Sequence, residues 1–358
     1  MEQIIIAIIK KAIEFFYDNV NYILYFLSIT FGWIGAWYIN KSAYRERLLK
    51  YPNERSSHDI VTPTGGGIGI LITLVLGCMV LNIMTTFVFP AMFVSLVSFY
   101  DDSRELSARF RLGNHFIAAI LLIIPNLFEV AGLSIAHQHL YWIPILITVP
   151  FIFFVVATAN FYNFMDGING IAGVTGVIGF GLIILYNNLF SYPHTLIDSK
   201  FIIIAACLAF SCLGFLPLNM PRAKVFMGDV GSILLGFVFA GIVIKLSRNF
   251  LDFICMAAFL FPFYADELTT IWVRLRDNER LTQSHRRHLY QILANEFQMA
   301  HWKVTMLYGF AQLIVGLSII LIRNYGETII VLLLFFYFAI FTLISFYVRK
   351  KMMSLRQS

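Results

Sequence analysis

Residues 142–190 read WIPILITVPFIFFVVATANFYNFMDGINGIAGVTGVIGFGLIILYNNLF. Two apolar stretches, 142–159 and 171–190, each approach the roughly 20 residues a helix needs to cross a bilayer, and a short polar hinge separates them. In hydrocarbon every backbone N–H and C=O needs an internal partner, so such stretches cross as helices. The same pattern recurs at 21–39, 66–84, 86–100, 114–129, 200–217, 231–246, 250–270, 303–322 and 327–348. The expected fold class is therefore all-α, a polytopic transmembrane helical bundle of 10 or 11 spans in one integral-membrane domain covering 1–358.

Composition agrees. Of 358 residues, 59% are hydrophobic and 13% charged, against about 25% charged in a soluble domain. A soluble chain could not hide that much apolar surface, so a lipid bilayer is the expected solvent. Residues 1–17, MEQIIIAIIKKAIEFFY, are interrupted by Lys10, Lys11 and Glu14 and suit an amphipathic interfacial helix. No small-residue cleavage site follows the apolar run, so it is not read as a signal peptide. Cys78, Cys207, Cys212 and Cys255 all fall within expected spans without CxxC spacing, which points to packing. The net charge of +6 is spread over loops that carry no DNA- or RNA-binding motif, so nucleic acid is not an expected partner.

Charge asymmetry sets the orientation. With eleven spans, the loops at 41–55, 104–111, 222–224 and 274–303 and the tail at 349–356 share one side and hold 20 of the 26 Lys and Arg residues. A basic excess in short loops marks the cytoplasmic side, which places the C-terminus and the long 272–302 loop there.

The polar clusters all lie on that side. In the hinge, Asn160, Asn163, Asp166 and Asn169 recur every three residues, which aligns oxygen-bearing side chains along one face of a helix or broken helix. Hard oxygens suit Mg²⁺, which keeps several waters and bridges phosphates; helix capping is the simpler alternative. In SFYDDSRELSARFRL, residues 98–112, the adjacent Asp101 and Asp102 repel each other and call for a cation or for Arg104, Arg109 and Arg111 nearby. In PLNMPRAKVFMGDVGSILLGF, residues 217–237, Asp229 opens an apolar helix. It is a good N-cap, and a helix start is also a seat for phosphate. In RLRDNERLTQSHRRHLYQIL, residues 274–293, His285, Arg286, Arg287 and His288 offer donors for a pyrophosphate, or form a solvated basic loop. In YPNERSSHDIVTPTGGGIGI, residues 51–70, Gly65 to Gly67 either let helices pack closely or form a phosphate-facing turn.

Together, PNERSSH with TPTGGGI, DDSRELSARFRL, NFYNFMDGINGIAG, VFMGDVGS and HRRHLYQ resemble, in chain order from about Pro52 to Gln291, the polyprenyl-phosphate N-acetylhexosamine-1-phosphate transferase superfamily. This is glycosyltransferase family 4, and the pattern looks closest to its bacterial branch that starts lipopolysaccharide O-antigen chains. The resemblance implies a bacterial inner-membrane enzyme with its active site at the cytoplasmic face. It implies UDP-N-acetylhexosamine and undecaprenyl phosphate as partners, Mg²⁺ as cofactor with Mn²⁺ able to substitute, and allows a homodimer.

Roles carry over position by position. Asp101 and Asp102 match the aspartate pair that handles lipid phosphate and metal, Asp166 a functional aspartate, and Asp229 the Mg²⁺-binding aspartate, with Asn169 as second metal-facing oxygen. Asn219 matches an asparagine of the nucleotide-sugar site, with Asn160 and Asn163 as further substrate contacts; Arg286 and His288, beside His285, match the recognition loop. Three departures stand out: Asn169 where many bacterial relatives carry Asp, Thr64 where they often place a basic residue, and Tyr290 in place of a second His. Two other classes compete. An aspartate-rich membrane prenyltransferase would need a second aspartate-rich motif, which is missing, and a secondary transporter would place its polar site near the bilayer midplane.

Overall fold

The computed structural model describes residues 2–42, 47–52, 57, 59–83, 85–104, 106–130, 142–190, 195–280 and 285–357; of these, 2–18, 125–130, 142–147, 197 and 355–357 are described by backbone alone. The protein is a helical membrane bundle. Its helices are α1 (Glu2–Lys41), α2 (Ile68–Val80), α3 (Thr85–Arg104), α4 (Ala108–Val130), α5 (Trp142–Phe164), α6 (Ile171–Phe190), α7 (Leu196–Asn219), α8 (Asp229–Leu246), α9 (Phe250–Ala257), α10 (Phe261–Arg276), α11 (Leu289–Gln291), α12 (His301–Ile322) and α13 (Glu327–Gln357). Among the described residues, 6 helices are both long and apolar enough to cross a membrane, and two shorter apolar helices accompany them.

The expected spans each correspond to helix, with two differences. α1 runs unbroken for 40 residues, so no break separates 1–17 from the span at 21–39; at 1.5 Å per residue it outreaches a hydrocarbon core of about 30 Å. The span expected at 250–270 is two helices, α9 and α10, joined by a 3₁₀ turn over Ala258–Leu260. Pro262, lacking an N–H to donate, sits in the first turn of α10, where a helix tolerates it.

α8 is the axis. From Val230 to Val243 every residue is buried, as expected of a helix that is apolar all round. It packs on α3 and α5, with α7, α2 and α6 completing its surround. Small residues let backbones meet: a methyl on Gly32 would fall on the Ser211 carbonyl oxygen, and one on Gly214 would fall on that of Ile29, which welds α1 to α7. α4 is peripheral, touching chiefly α3 and α5, and Phe110, Leu112, Ile117 and Leu121 leave its outer face exposed and apolar for lipid.

Because successive spans alternate in direction, the C-terminal ends of α3, α5, α7 and α10 meet the N-terminal ends of α4, α6, α8 and α12 at one end of the bundle. The loop after α1 closes over that end through a short antiparallel pair, Leu49–Lys50 with Thr62–Pro63. It is fastened to the α7–α8 loop where the Phe226 N–H donates to the Pro63 carbonyl at 2.8 Å.

Candidate active site

The hinge after α5 is held from several sides. The Tyr290 hydroxyl donates to the Phe164 carbonyl at 2.9 Å. One turn of α12 grips Asn169: its N–H donates to His301 Nδ1 at 3.4 Å, and the Thr305 hydroxyl donates to its carbonyl at 2.8 Å. Asn219, at the end of α7, accepts from the Gly170 N–H at 2.6 Å and donates to the Val225 carbonyl at 2.9 Å. Its amide therefore stitches the hinge to the α7–α8 loop.

That loop delivers Asp229. Gly228 precedes it with φ 75, and a Cβ there would sit 2.6 Å from both Asp102 Oδ2 and the Gly65 nitrogen and 2.8 Å from Thr64 Oγ1. Only glycine takes that backbone conformation without strain and admits that approach. Asp229 then lies at the positive end of the α8 dipole, which favours a carboxylate. Asn163 Nδ2 donates to Asp229 Oδ1 at 2.8 Å and to Ser232 Oγ at 2.9 Å. The glycine run before α2 is a packing device: the N–H groups of Gly66 and Gly67 are spent on the carbonyls of Phe226 and Met227. A Cβ on Gly67 would meet Gly231 Cα at 2.5 Å.

Lys50, Ser57, Thr64, Asp102, Asn163, Asp166, Asn169, Asn219, Asp229, Gln291 and His301 line a cavity of about 250 Å³. A second cavity of about 250 Å³ adjoins it, sharing Ser57, Asn169, Phe226 and His301 and adding Asp59, Thr62 and Arg222. The loop that carries Ser57 is tied to the far wall by Asn295 Nδ2, which donates to Ser57 Oγ at 3.0 Å.

Charged side chains from three helices and the loop after α1 converge on the site. Lys50 Nζ stands 3.7 Å from Asp102 Oδ1, and Arg111 Nη1 stands 3.1 Å from Asp101 Oδ2 and 3.6 Å from Asp229 Oδ2. Among the described residues Lys50 and Arg111 thus face the carboxyls of Asp101, Asp102, Asp229 and Asp166, and burial holds the Asp102 carboxyl well above the usual carboxylate range. Asp102 Oδ2 is buried and has no hydrogen-bond partner. Burial, with the charge of Asp229 added, pushes the Asp166 carboxyl up to about 7, so protons offset part of the negative charge. The donor set fits Mg²⁺: hard oxygens and, in Asp102 Oδ2, a buried carboxylate oxygen without a hydrogen-bond partner among the described residues. Among the described residues no three His, Cys, Asp or Glu side chains converge into a metal-holding group; Mg²⁺ commonly binds through one or two carboxylates plus waters and phosphates.

The residues expected from sequence separate into groups. Asp102, Asn163, Asp166, Asn169, Asn219 and Asp229 meet at the cavity. Asp101 stands behind it, holding Arg111 and accepting from the Leu106 N–H. Asn160 is occupied elsewhere, with His115 and the Val156 carbonyl. His285, Arg286 and His288 line neither cavity. His288 is buried between two carboxylates of α10, its Nε2 3.5 Å from Glu267 Oε2 and its Nδ1 3.8 Å from Asp266 Oδ1. Asp266 also accepts from the Leu289 N–H at 2.8 Å and from the Tyr308 hydroxyl at 2.6 Å. The segment is thus anchored by its histidine, and it presents Gln291 to the cavity. Burial, then the neighbouring His288 and Arg274, pull His285 down to about 3, so its ring is neutral near pH 7. Sequence reasoning missed Lys50, Ser57, Gln291 and His301, which reach the cavity only through tertiary folding. The acid pair Asp266–Glu267 inside an apolar span was a visible signal, since carboxylates in such segments are costly without a partner.

Residues 84–247 match the profile of glycosyl transferase family 4. Among curated proteins the chain is similar to the phospho-N-acetylmuramoyl-pentapeptide-transferases of Staphylococcus aureus strains MSSA476 and MW2. Each is 27% identical over 278 residues, covering 72% of this chain and 83% of the relative. The protein of strain JH9 matches to the same extent.

Proposed function

We propose that the chain, whose residues 84–247 match the glycosyl transferase family 4 profile, is a member of that family and transfers N-acetylhexosamine-1-phosphate from a UDP-sugar to undecaprenyl phosphate, releasing UMP. The observation that carries this reading is the cavity itself: Asp102, Asp166 and Asp229 with Asn163 and Asn169, on hinge and helix ends brought together from α3, α5 and α8.

A phosphate oxygen of the lipid attacks the β-phosphorus of the UDP-sugar, the bond to the UMP oxygen breaks, and a pyrophosphate links lipid to sugar. Such a transfer depends on positioning and charge stabilisation. Asp229 and Asp102, with Asn169, would hold Mg²⁺, whose chemistry is to neutralise the diphosphate and the charge developing in transfer. Asn163 orients Asp229, and Asn219 fixes the walls of the nucleotide-sugar chamber. Arg222, in the adjoining cavity, offers its guanidinium to the donor's phosphates. A lipid phosphate has a second pKa near 6 and needs little help from a base, so Asp101 positions and Asp166 tunes the charge of the chamber. His288 acts by anchoring its segment, and Arg286 is the recognition candidate within it. An apolar groove of about 440 Å³, lined from α9, α10 and α13 by residues such as Phe261, Leu268, Leu334 and Phe335, suits the prenyl tail.

The basic loops support a reading in which this end of the bundle faces the cytoplasm from a bacterial inner membrane, with the C-terminus on the same side. The product would initiate an O-antigen or related envelope glycan. A second reading has a UDP-N-acetylmuramoyl-pentapeptide as donor, and the curated relatives favour it. Purified protein in detergent with undecaprenyl phosphate and Mg²⁺, offered UDP-GlcNAc, UDP-GalNAc and UDP-N-acetylmuramoyl-pentapeptide in turn, separates the readings. UMP release with a UDP-N-acetylhexosamine supports the first, release with the pentapeptide donor alone supports the second, and no release with any would overturn both.

A further inference from the structure

Arg111 stands at the tip of the peripheral helix α4, with its side chain 42% exposed, yet its guanidinium turns inward to two carboxylates from different helices. The two arms are unequal. At 3.1 Å Arg111 Nη1 donates a hydrogen bond to Asp101 Oδ2, whereas at 3.6 Å from Asp229 Oδ2 it makes an ion pair too long for one. The Asp101 side chain is 6% exposed and further held by the Leu106 N–H; that of Asp229 is 28% exposed and faces the cavity. Near Asp229 lies the buried Asp102 Oδ2, with no hydrogen-bond partner. The geometry therefore has a firm anchor on one side and a weak contact on the other, beside a buried carboxylate oxygen.

We propose that Arg111 is a tethered stand-in for the divalent cation, bridging Asp101 and Asp229 in the metal-free protein and yielding Asp229 when the ion binds. The anchor on Asp101 keeps the guanidinium at the rim of the site during the exchange, where it is free to face an incoming phosphate. Without it, the carboxylates of α3 and α8 would repel each other. The cost of this arrangement is affinity, because the metal competes with an intramolecular cation.

This inference rests on the metal site of the proposed function, and the two fail differently under one experiment. Mn²⁺ binding to the full-length protein in detergent is followed by the electron paramagnetic resonance signal of the free ion, with no substrate present. Wild type should bind an ion that Asp229→Asn does not; no binding by wild type, or undiminished binding by Asp229→Asn, removes the metal site and the inference with it. Arg111→Gln should bind Mn²⁺ about threefold tighter or more, the scale of losing one partly exposed competing ion pair. Arg109→Gln, which removes a nearby exposed cation, should leave the affinity unchanged. If Arg111→Gln does not purify, Arg111→Lys, too short to span both carboxylates, should also bind tighter than wild type. Equal or weaker Mn²⁺ binding by the Arg111 variants, with Asp229 still required, overturns the competition, and so does equal tightening by Arg109→Gln. A merely structural arginine would weaken metal binding when lost, the opposite sign.

Discussion

Asn163 Nδ2 donates to Asp229 Oδ1 across 2.8 Å, tying the last turn of α5 to the first residue of α8. The bond aims one carboxylate oxygen and leaves the other to the cavity and to Arg111. A hydrogen bond to a charged group is worth about 1.5–3 kcal/mol. Asn163→Ala should therefore lower kcat/KM roughly 10- to 100-fold through kcat, with little change in the KM for the UDP-sugar. Steady-state UMP release at saturating lipid acceptor checks it; a change confined to KM would make Asn163 a donor contact instead.

The Asp166 carboxyl, pushed up to about 7 by burial and by Asp229, gives a pH signature with a definite sign. Its unfolded value lies near 4, so the fold prefers it protonated, and the metal-free protein should lose stability as pH rises from about 4 to about 7. Metal binding wants the ionised form. Mn²⁺ affinity should rise between pH 6 and 8, by up to about tenfold per unit, the limit for one released proton. Both slopes should flatten in Asp166→Asn, as read by thermal melts and Mn²⁺ titrations. A wild-type slope that persists unchanged in the variant would place the proton elsewhere.

Gly228→Ala tests the cradle around Asp102. The added methyl falls on Asp102 Oδ2 and the Gly65 nitrogen at φ 75, a strain of about 1–3 kcal/mol before any displacement of the carboxylate. Melting temperature and turnover should both drop. Gly113→Ala on α4, where nothing lies within 4 Å, should leave both unchanged. Normal activity in Gly228→Ala would mean the approach of these backbones is not needed.

The HRRH segment should split by residue. Removing His288 leaves the buried carboxyls of Asp266 and Glu267 without the imidazole packed between them, a loss of about 1–3 kcal/mol, so His288→Ala should lower the melting temperature and kcat together. Arg286→Ala should chiefly raise KM for the UDP-sugar, since an always-charged guanidinium holds a ground-state phosphate as readily as a transition state. Melts alongside steady-state kinetics separate the two, and a melting temperature unchanged in His288→Ala would refute the anchor.

How much of this was legible in the sequence follows from what each feature depends on. The apolar runs give the spans because bilayer thickness alone demands them, and the alternation of direction then gathers the hinge, the Asp101–Asp102 pair and Asp229 at one end. The spacing of Asn163, Asp166 and Asn169 aligns their oxygens along one face, and all three line one cavity. Asn160 shares that spacing but lies a turn earlier, inside α5, where His115 occupies it. Asp266 and Glu267 signalled a buried partner, but local sequence does not say that His288, more than 20 residues on, is the group that meets them. For the same reason the glycines before α2 were ambiguous until the α7–α8 loop was seen to consume their N–H groups. Lys50, Gln291 and His301 carry no local pattern at all; long-range packing alone brings them to the site.

The central claim, metal-assisted transfer of a phospho-sugar to a polyprenyl phosphate at Asp229, is tested most directly by following label from β-³²P-labelled UDP-GlcNAc into the organic-extractable lipid. Wild type with undecaprenyl phosphate and Mg²⁺ should move the label into lipid pyrophosphate while releasing unlabelled UMP, and Asp229→Asn, purified in the same yield, should leave it in the aqueous phase. Label entering lipid equally in Asp229→Asn, or remaining aqueous in wild type with this donor and with its β-³²P-labelled N-acetylmuramoyl-pentapeptide counterpart, would contradict it.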